Sequence, residues 1–329
     1  MRRREFIKLV GSAAVTWPVN SSLAQQPQRV RRIGVLNALA EGDPEASARH
    51  VALEKALKDL GWVKGANVQL DYRSAEAKSE LIRKHVVELI ALAPDVMVAE
   101  GSIVAAPVAR ATSTIPIVCL QVIDPVGSGL IESMARPGGN VTGFTQFEYS
   151  LAGKWLELLK EIAPNVSRVA VVRDPTRGPG IGQFAVIQAM APQHLVEFSP
   201  INPVDPAEIE RAIAAMARSP NAGLVVTSGG TAVHRASIIA AAAKYRIPAV
   251  YPYAYFVADG GLISYGPDTI EPYVRAAGYI NRIFNGEKPN DLPVQGPTKY
   301  QLSISLKTAK ALGLTVPSSL LARADQVIE

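Results

Sequence analysis

Pro94–Leu120 reads PDVMVAEGSIVAAPVARATSTIPIVCL, and Asn221–Tyr251 reads NAGLVVTSGGTAVHRASIIAAAAKYRIPAVY. Both stretches run the same program. An apolar run (Asp95–Ala99, then Gly223–Thr227) leads to a hydroxyl at Ser102 or Ser228. A helical segment follows, at Ile103–Thr112 and Ala232–Tyr245. An Ile-Pro step then opens a second apolar run, with Pro116 and Pro248 standing 132 positions apart. Upstream, Ile33–Leu36 (IGVL) and Val169–Val172 (VAVV) match in the same way, each opening a loop and a helix. Short, continuous, β-branched runs are what parallel strands covered on both faces require. Strands that alternate with helices imply parallel sheets with helices on both sides. The duplication therefore predicts two similar doubly wound α/β lobes with a cleft between them, and ligand capture in that cleft.

Working outward, the pattern predicts strands at Arg32–Leu36, Val68–Tyr72, Ile117–Val122, Arg168–Val172, Leu195–Phe198, Ala249–Tyr251 and Leu262–Tyr265. Helices are expected at Pro44–Leu60, where Pro44 suits a first turn and Gly61 a C-terminal cap, and at Ser79–Leu92, with Ser79 as N-cap. Further helices are expected at Leu151–Ile162, Gln183–Met190, Pro206–Ala217 and Tyr273–Asn285, the last returning to the first lobe. Gly127–Met134 reads as a short helix and Asn140–Gly143 as a turn into the second lobe. Tyr300, Leu302, Ile304 and Leu306 alternate with polar residues, the pattern of a half-exposed edge strand. Thr308–Leu312 reads as a short helix stopped by Gly313.

The chain has 329 residues, 48% apolar and 19% charged, which suits two ordinary cores and argues against extended disorder. Arg3-Arg4-Glu5-Phe6-Ile7-Lys8 matches the twin-arginine export pattern. The apolar stretch Leu9–Val19 is too short to span a bilayer, and Ser22-Leu23-Ala24 offers small residues for cleavage before Gln25. A periplasmic mature protein that is not embedded in the membrane is expected. Without Arg2, Arg3, Arg4, Lys8 and Glu5 the excess of basic over acidic residues falls from five to two, so a basic nucleic-acid surface is not indicated. The one cysteine, Cys119, sits in an apolar run, reads as a buried small residue, and leaves no internal disulfide to form.

In open α/β sheets ligands bind beyond the carboxyl ends of the strands, where helix N-termini present free amides. The loops to inspect are then 37–43, 100–102 and 123–126 in the first lobe, and 173–182, 227–231 and 252–255 in the second. Their candidate ligand-binding residues are Asn37, Ser102, Asp124, Thr145, Arg173, Thr176, Thr227, Ser228, Tyr251, Tyr253 and Tyr265. Ser102 and Ser228 occupy equivalent points of the repeats, where each could instead cap a helix. Arg173 could grip a carboxylate bidentately or pair with Asp174. Asp124 could accept from a ligand or start a turn before Pro125. The cluster Tyr251, Tyr253, Tyr255, Phe256 and Tyr265 offers a stacking surface as well as core material. His50, His85, His194 and His234 are scattered, no paired ligands have metal spacing, and no nucleophile elbow appears, so neither cofactor nor metal is expected. Gly178, Gly180 and Gly182 lack the spacing of a dinucleotide fingerprint.

Three segments carry a resemblance: Asp124-Pro125-Val126 with Gly129-Leu130, Pro137-Gly138-Gly139-Asn140-Val141-Thr142-Gly143, and Leu306–Leu314 through Ala324-Asp325. With them the mature chain resembles the ABC-transporter substrate-binding proteins of the type I periplasmic-binding fold, the broad family that includes tryptophan- and tyrosine-binding members. The resemblance implies a receptor of an ABC importer that closes on a small aromatic or carboxylate-bearing ligand and docks on a membrane permease. It implies a three-crossing hinge near 143–147, 266–270 and 293–298. Residues 1–24 are then the leader, 30–145 plus 268–296 the first lobe, and 146–267 plus 297–329 the second. The stretch Arg173-Asp174-Pro175-Thr176-Arg177 departs from the family, many of whose members place Asn-Pro there. A secreted α/β enzyme using the same cleft and a ligand-binding partner of a membrane sensor are the competing classes.

Overall fold

Two sheets carry the chain, and the second repeats the first strand for strand. The computed structural model describes residues 29–146, 149–176, 178–202, 205–228 and 230–329. Strands β1 (Arg31–Asn37), β2 (Val68–Ser74), β3 (Val96–Glu100), β4 (Ile117–Val122) and β5 (Val141–Thr145) lie in the order β2-β1-β3-β4-β5. All their pairings are parallel. Strands β6 (Arg168–Val172), β7 (Glu197–Ile201), β8 (Ala222–Val226), β9 (Ala249–Tyr251) and β10 (Ile263–Pro267) take the equivalent order β7-β6-β8-β9-β10. Strands β11 (Tyr300–Ser305) and β12 (Gln326–Ile328) extend this second sheet. In both orders the strand order switches sides between the first and third strands of the repeat, which places a crevice at their carboxyl ends.

Burial explains why these runs are strands. Every residue of β3, β4 and β5 is buried, so their side chains meet helices on both faces. Helix α1 (Pro44–Asp59) begins at Asp43, whose side chain accepts from the amides of Glu45 and Ala46, and it buries Ala46, Arg49, Leu53 and Leu57 along one stripe. Helices α2 (Ser79–Ala91) and α3 (Ser102–Ala111) complete the first unit. Around the second sheet lie α4 (Leu151–Ile162), α5 (Gly178–Met190), α6 (Pro206–Ala217), α7 (Arg235–Lys244) and the short α8 (Ala254–Ala258). Helix α9 (Glu271–Phe284) returns to the first sheet, where Tyr273, Ala276, Ile280 and Phe284 share a core with Ile33, Val35, Leu53 and Leu57. Helices α10 (Leu306–Leu312), capped by Gly313 in the left-handed conformation, and α11 (Ser318–Arg323) lead to β12. Among the described residues no helix is long and apolar enough to cross a membrane. The leader read at residues 1–24 lies outside the described residues.

Several local expectations are corrected. Residues 140–143 are no turn: Val141–Thr145 is the last strand of the first sheet, and Gly143 is what admits it. Its φ is 140°, and a Cβ there would stand 1.9 Å from the carbonyl oxygen of Cys119 on β4. Residues 127–134 are turns rather than a helix. Gly127 N donates to the Asp124 carboxylate at 2.9 Å, and Gly129 takes a positive φ, so no helical ladder starts. The seventh strand begins later than Leu195, which itself sits at φ 53° after a 3-10 turn. The N-cap of α2 is Lys78, without a side-chain bond, rather than Ser79. Finally, β11 is not an edge strand. It runs antiparallel to β10 and is covered on its other side by β12, with Leu302, Ser303, Ile304 and Ser305 buried.

The chain passes between the two sheets three times, and the crossings are tied side by side. Thr145 N donates to Gln295 O at 2.9 Å, Gln295 N to Gly143 O at 3.0 Å, and Asp268 N to Lys299 O at 3.0 Å. The Asp268 carboxylate accepts from Ile270 N (2.9 Å), Glu271 N (3.1 Å), Lys299 Nζ (3.2 Å) and Gln301 Nε2 (3.1 Å). Burial pushes its pKa up, but the two amides and Lys299 outweigh that, and the result lies below the ordinary 3.8. A depressed carboxylate contributes stability above its unfolded value and loses it as pH falls through the folded one. Asp268→Asn should therefore be less stable than the parent at neutral pH, with the gap narrowing below about pH 4. Urea unfolding at both pH values checks this; a gap independent of pH would exclude the role.

Candidate functional site

The carboxyl ends of the two sheets face one another around a cavity of ≈ 80 Å³. The first sheet contributes the loop after β1 (Asn37, Ala38, Leu39), the β3–α3 junction (Glu100 to Ile103) and the end of β4 (Gln121, Ile123). Arg49 reaches in from α1 and Gln146 from a crossing segment. The second sheet contributes Gly230, Ala232 and Val233 after β8, and Tyr253 and Tyr255 after β9. The crevice thus lies at the switch point of the first sheet, where strand order reverses. A second groove of ≈ 920 Å³ runs along the crossings and meets the cavity at Ile123, with Asp124, Thr145, Tyr149, Lys154, Tyr265 and Tyr300 among its walls.

A charged and aromatic cluster forms one side of the cavity. Arg49 is 4% exposed, its Nε donates to Glu45 Oε1 at 2.9 Å, and its guanidinium lies 5.8 Å from the ring centres of both Tyr255 and Tyr273. Burial disfavours its charge, but Tyr273, Glu45, Tyr255 and Glu100 together outweigh that and raise its pKa above the ordinary arginine value. It is a permanent cation. Glu100 is 3% exposed and accepts from Tyr273 OH at 2.8 Å and from His50 Nε2 at 3.1 Å. Burial likewise raises Tyr273 and Tyr253, so both stay protonated donors.

The two lobes also touch beside the cavity, through a residue that lies over Tyr255 of its wall. Arg235 on α7 donates from Nη1 to Asp43 Oδ2 at 2.7 Å and from Nε to Asp259 Oδ2 at 2.6 Å, and its guanidinium lies 5.3 Å over the Tyr255 ring. The Arg235–Asp43 pair is nearly buried, with side-chain exposures of 12% and 11%. Asp43 thus serves both as the N-cap of α1 and as the contact between lobes.

Of the residues read from sequence, Asn37, Ser102 and Tyr253 line the cavity. The amide of Asn37 is spent on its own loop, accepting from Leu39 N and donating to Arg73 O and Ser74 Oγ. The Ser102 hydroxyl accepts from Ile123 N at 3.0 Å and ties α3 to the end of β4, while Gly101 holds the N-cap position. Asp124, Thr145 and Tyr265 line the second groove instead. Arg173, Thr176, Thr227, Ser228 and Tyr251 line neither. Arg173 donates to Asn202 Oδ1 and lies 4.1 Å over the Phe184 ring, and Thr176 bonds Asp174. Thr227 is fully buried on the Val172 carbonyl. Ser228 is equally buried, donating from its amide to Gln183 Oε1 and accepting from Gln183 Nε2. Tyr251 is 1% exposed and stacks on Phe256 in the core. The glycines of α5 also have a packing reason: a Cβ on Gly182 would meet the Tyr149 ring at 2.7 Å.

Sequence reading missed Arg49, Gln121 and Gln146, and reached Glu100 and Tyr255 only as members of a loop and of an aromatic cluster. A signal existed for two of them. Arg49 stands on the same helical stripe as Ala46, Leu53 and Leu57, where a charge is out of place. Glu100 ends an otherwise apolar strand at the switch point.

A model of the family "ABC transporter substrate binding protein" matches residues 33–328. A tyrosine-binding protein of Clostridioides difficile is 25% identical over 260 residues, 79% of this chain and 75% of that protein. The structure of an ABC domain in complex with L-Trp from Streptococcus pneumonia is 25% identical, covers 91% of this chain and 99% of its own, and superposes with a TM-score of 0.82. The ligand-free, open structure of a substrate binding protein with adhesive properties from Clostridium difficile is 24% identical over 91% and 99%, with a TM-score of 0.66.

Proposed function

Because the chain belongs to the ABC transporter substrate-binding proteins, we propose that it is the extracytoplasmic receptor of an importer, closing its two lobes on a small molecule and presenting it to a membrane permease. The leader at residues 1–24 would direct it to the periplasm and be removed near Ala24. The first lobe would comprise 30–145 with 268–296, and the second 146–267 with 297–329. One observation supports the reading: the carboxyl ends of both sheets meet around one cavity, and an ion pair between Arg235 and Asp43 joins the lobes beside it. Three tied crossings would let the lobes swing without unfolding either. The relatives named for tyrosine or bound to L-Trp make a carboxylate-bearing ligand the class to test first. Binding without turnover fits a site whose charges hold one another rather than activate water or a nucleophile.

Thermal shift against amino acids, hydroxy acids, nucleosides and sugars tests this. A ligand at about 100 times its Kd adds about 2.7 kcal/mol of stability and raises the melting temperature. X-ray scattering should show the protein in its more compact, closed form once that ligand is added. No shift with any class, or turnover of the compound that binds, would sink the receptor reading.

A further inference from the structure

Resting on the receptor reading, we propose that Gln121 and Tyr253 set the specificity of the cavity: Gln121 accepts from an N–H or O–H of the ligand, and Tyr253 donates to a ligand oxygen. Gln121 is 9% exposed and lines the cavity. Its Nε2 donates to Thr269 O at 3.1 Å, on the crossing that leads to α9. A backbone carbonyl only accepts, so the amide nitrogen of Gln121 is the atom that faces Thr269, and the oxygen is left over. That oxygen has no donor among the described residues. It is not sealed either, since the described polar side-chain atoms that are sealed without a partner are Asp71 Oδ2 and Ser264 Oγ. In the cavity wall it is an acceptor open to a ligand.

The backbone is bent to put it there. Gln121 takes φ 56°, a region few residues other than glycine enter, at the point where β4 shifts register against β5 between Leu120 and Val122. A bulge of this kind re-aims one side chain out of the strand's alternation. Strained positions of this sort gather at binding sites, where the surrounding structure holds them.

On the second lobe a relay fixes the opposite polarity. Ser228 N only donates, and it does so to Gln183 Oε1 at 2.9 Å. This leaves Gln183 Nε2 to donate to Ser228 Oγ at 2.7 Å. Ser228 hydrogen-bonds Tyr253, and among the described residues its own proton has no other acceptor. Burial raises the Tyr253 pKa and the Ser228 bond opposes it, the effect of a donor on the phenol oxygen. The Tyr253 proton is then free for an acceptor outside the lobe. Gln183 and Ser228 are both 0% exposed, so solvent does not scramble the order. Tyr253 lines the cavity, close enough to the first lobe for the charges of Arg49 and Glu45 to act on its hydroxyl. Gln183 and Ser228 are positioning residues that act through it. An α-amino or α-hydroxy compound with an acceptor oxygen satisfies both walls, and its analogue without the donor does not.

Isothermal titration pairs L-tyrosine with 3-(4-hydroxyphenyl)propanoate, L-tryptophan with indole-3-propanoate, and both L-alanine and L-lactate with propanoate. At least one donor-bearing compound should bind, about tenfold more tightly than its analogue. Gln121→Met should cut that contrast to about threefold or less. Gln121→Glu, which keeps an acceptor but gives up Thr269, should retain it. Tyr253→Phe should weaken the donor-bearing compound about tenfold. Gln183→Glu should do the same, because a carboxylate there takes the Ser228 proton and turns the Tyr253 proton inward. The two changes together should cost no more than either alone. Melting of each ligand-free variant is recorded, and the contrast on the unaltered protein depends on no variant folding. An analogue that binds as tightly as its donor-bearing partner would overturn the acceptor role. Equal loss of contrast in Gln121→Met and Gln121→Glu would reduce Gln121 to a tie on the crossing and overturn it too. Additive losses at 183 and 253 would overturn the relay. Silence from every compound would overturn the proposal, while the wider thermal-shift panel would still judge the receptor reading separately.

Discussion

Arg235→Ala should weaken ligand binding about tenfold, chiefly through faster release. The Arg235 guanidinium bridges Asp43 of the first lobe and Asp259 of its own, and lies over Tyr255. Opening would break only the bridge to Asp43, because Asp259 and Tyr255 move with Arg235. If the lobes swing as proposed, the pair would bias them toward closure without contributing to the fold of either. A nearly buried ion pair lost from one side costs a few kcal/mol in place. Part of that returns when the arginine is solvated in the open form, leaving about 1–2 kcal/mol of bias, or about tenfold in apparent affinity. Asp43→Asn separates the two duties of that residue, since asparagine still caps a helix but carries no charge. A double-mutant cycle between the positions should then show coupling of about 1 kcal/mol in binding free energy and little in melting temperature. Equal affinity for parent and Arg235→Ala would remove the latch from the mechanism.

The second large effect is on stability. Trp155→Ala should destabilise the protein by about 3–5 kcal/mol and lower its melting temperature by about 10 °C. Trp155 sits on α4, fully buried among Leu156, Leu159, Val171 and Val225, and its indole N–H donates to the Tyr265 carbonyl at 2.7 Å. Alanine would leave both a large cavity and an orphaned carbonyl beneath β10. Trp155→Phe keeps most of the volume and should lose far less, about 1 kcal/mol for the hydrogen bond together with some packing. Calorimetry on the three proteins checks the order. A melting temperature for the alanine variant within about 2 °C of the parent would mean that the second core does not rest on this side chain.

The duplicated strand–helix order was readable because strands such as β3, β4 and β8 are closed apolar runs with glycine, proline or hydroxyl punctuation, and five of the six loops that this punctuation marks contribute to the cavity wall, 173–182 being the exception. The failures share a cause: contacts distant in sequence decided them. Val141–Thr145 contains a glycine and two threonines and looks like a turn until β4 is beside it. Tyr300–Ser305 alternates like an edge strand because the three residues that cover it, Gln326–Ile328, are too few to announce themselves. Thr227 and Ser228 stand at the loop equivalent to Ser102, yet Val172 and Gln183 claim them, so repeat symmetry overstated their access to ligand. The cluster of Arg49, Glu100, Tyr255 and Tyr273 joins four elements, and nothing local marks its members as neighbours.

Cys119 lies at the middle of β4, 4% exposed, beneath the strand that Gly143 allows to approach, and burial pushes its thiol up to about 12. Since only the thiolate reacts at a useful rate, an alkylating reagent should ignore the native molecule and mark it only when the first sheet comes apart. The sequence contains a single cysteine, so pulse labelling followed by mass spectrometry times that rupture with no engineered handle. The other sheet stays silent, which makes this sulfur a built-in clock for the order in which the halves unravel.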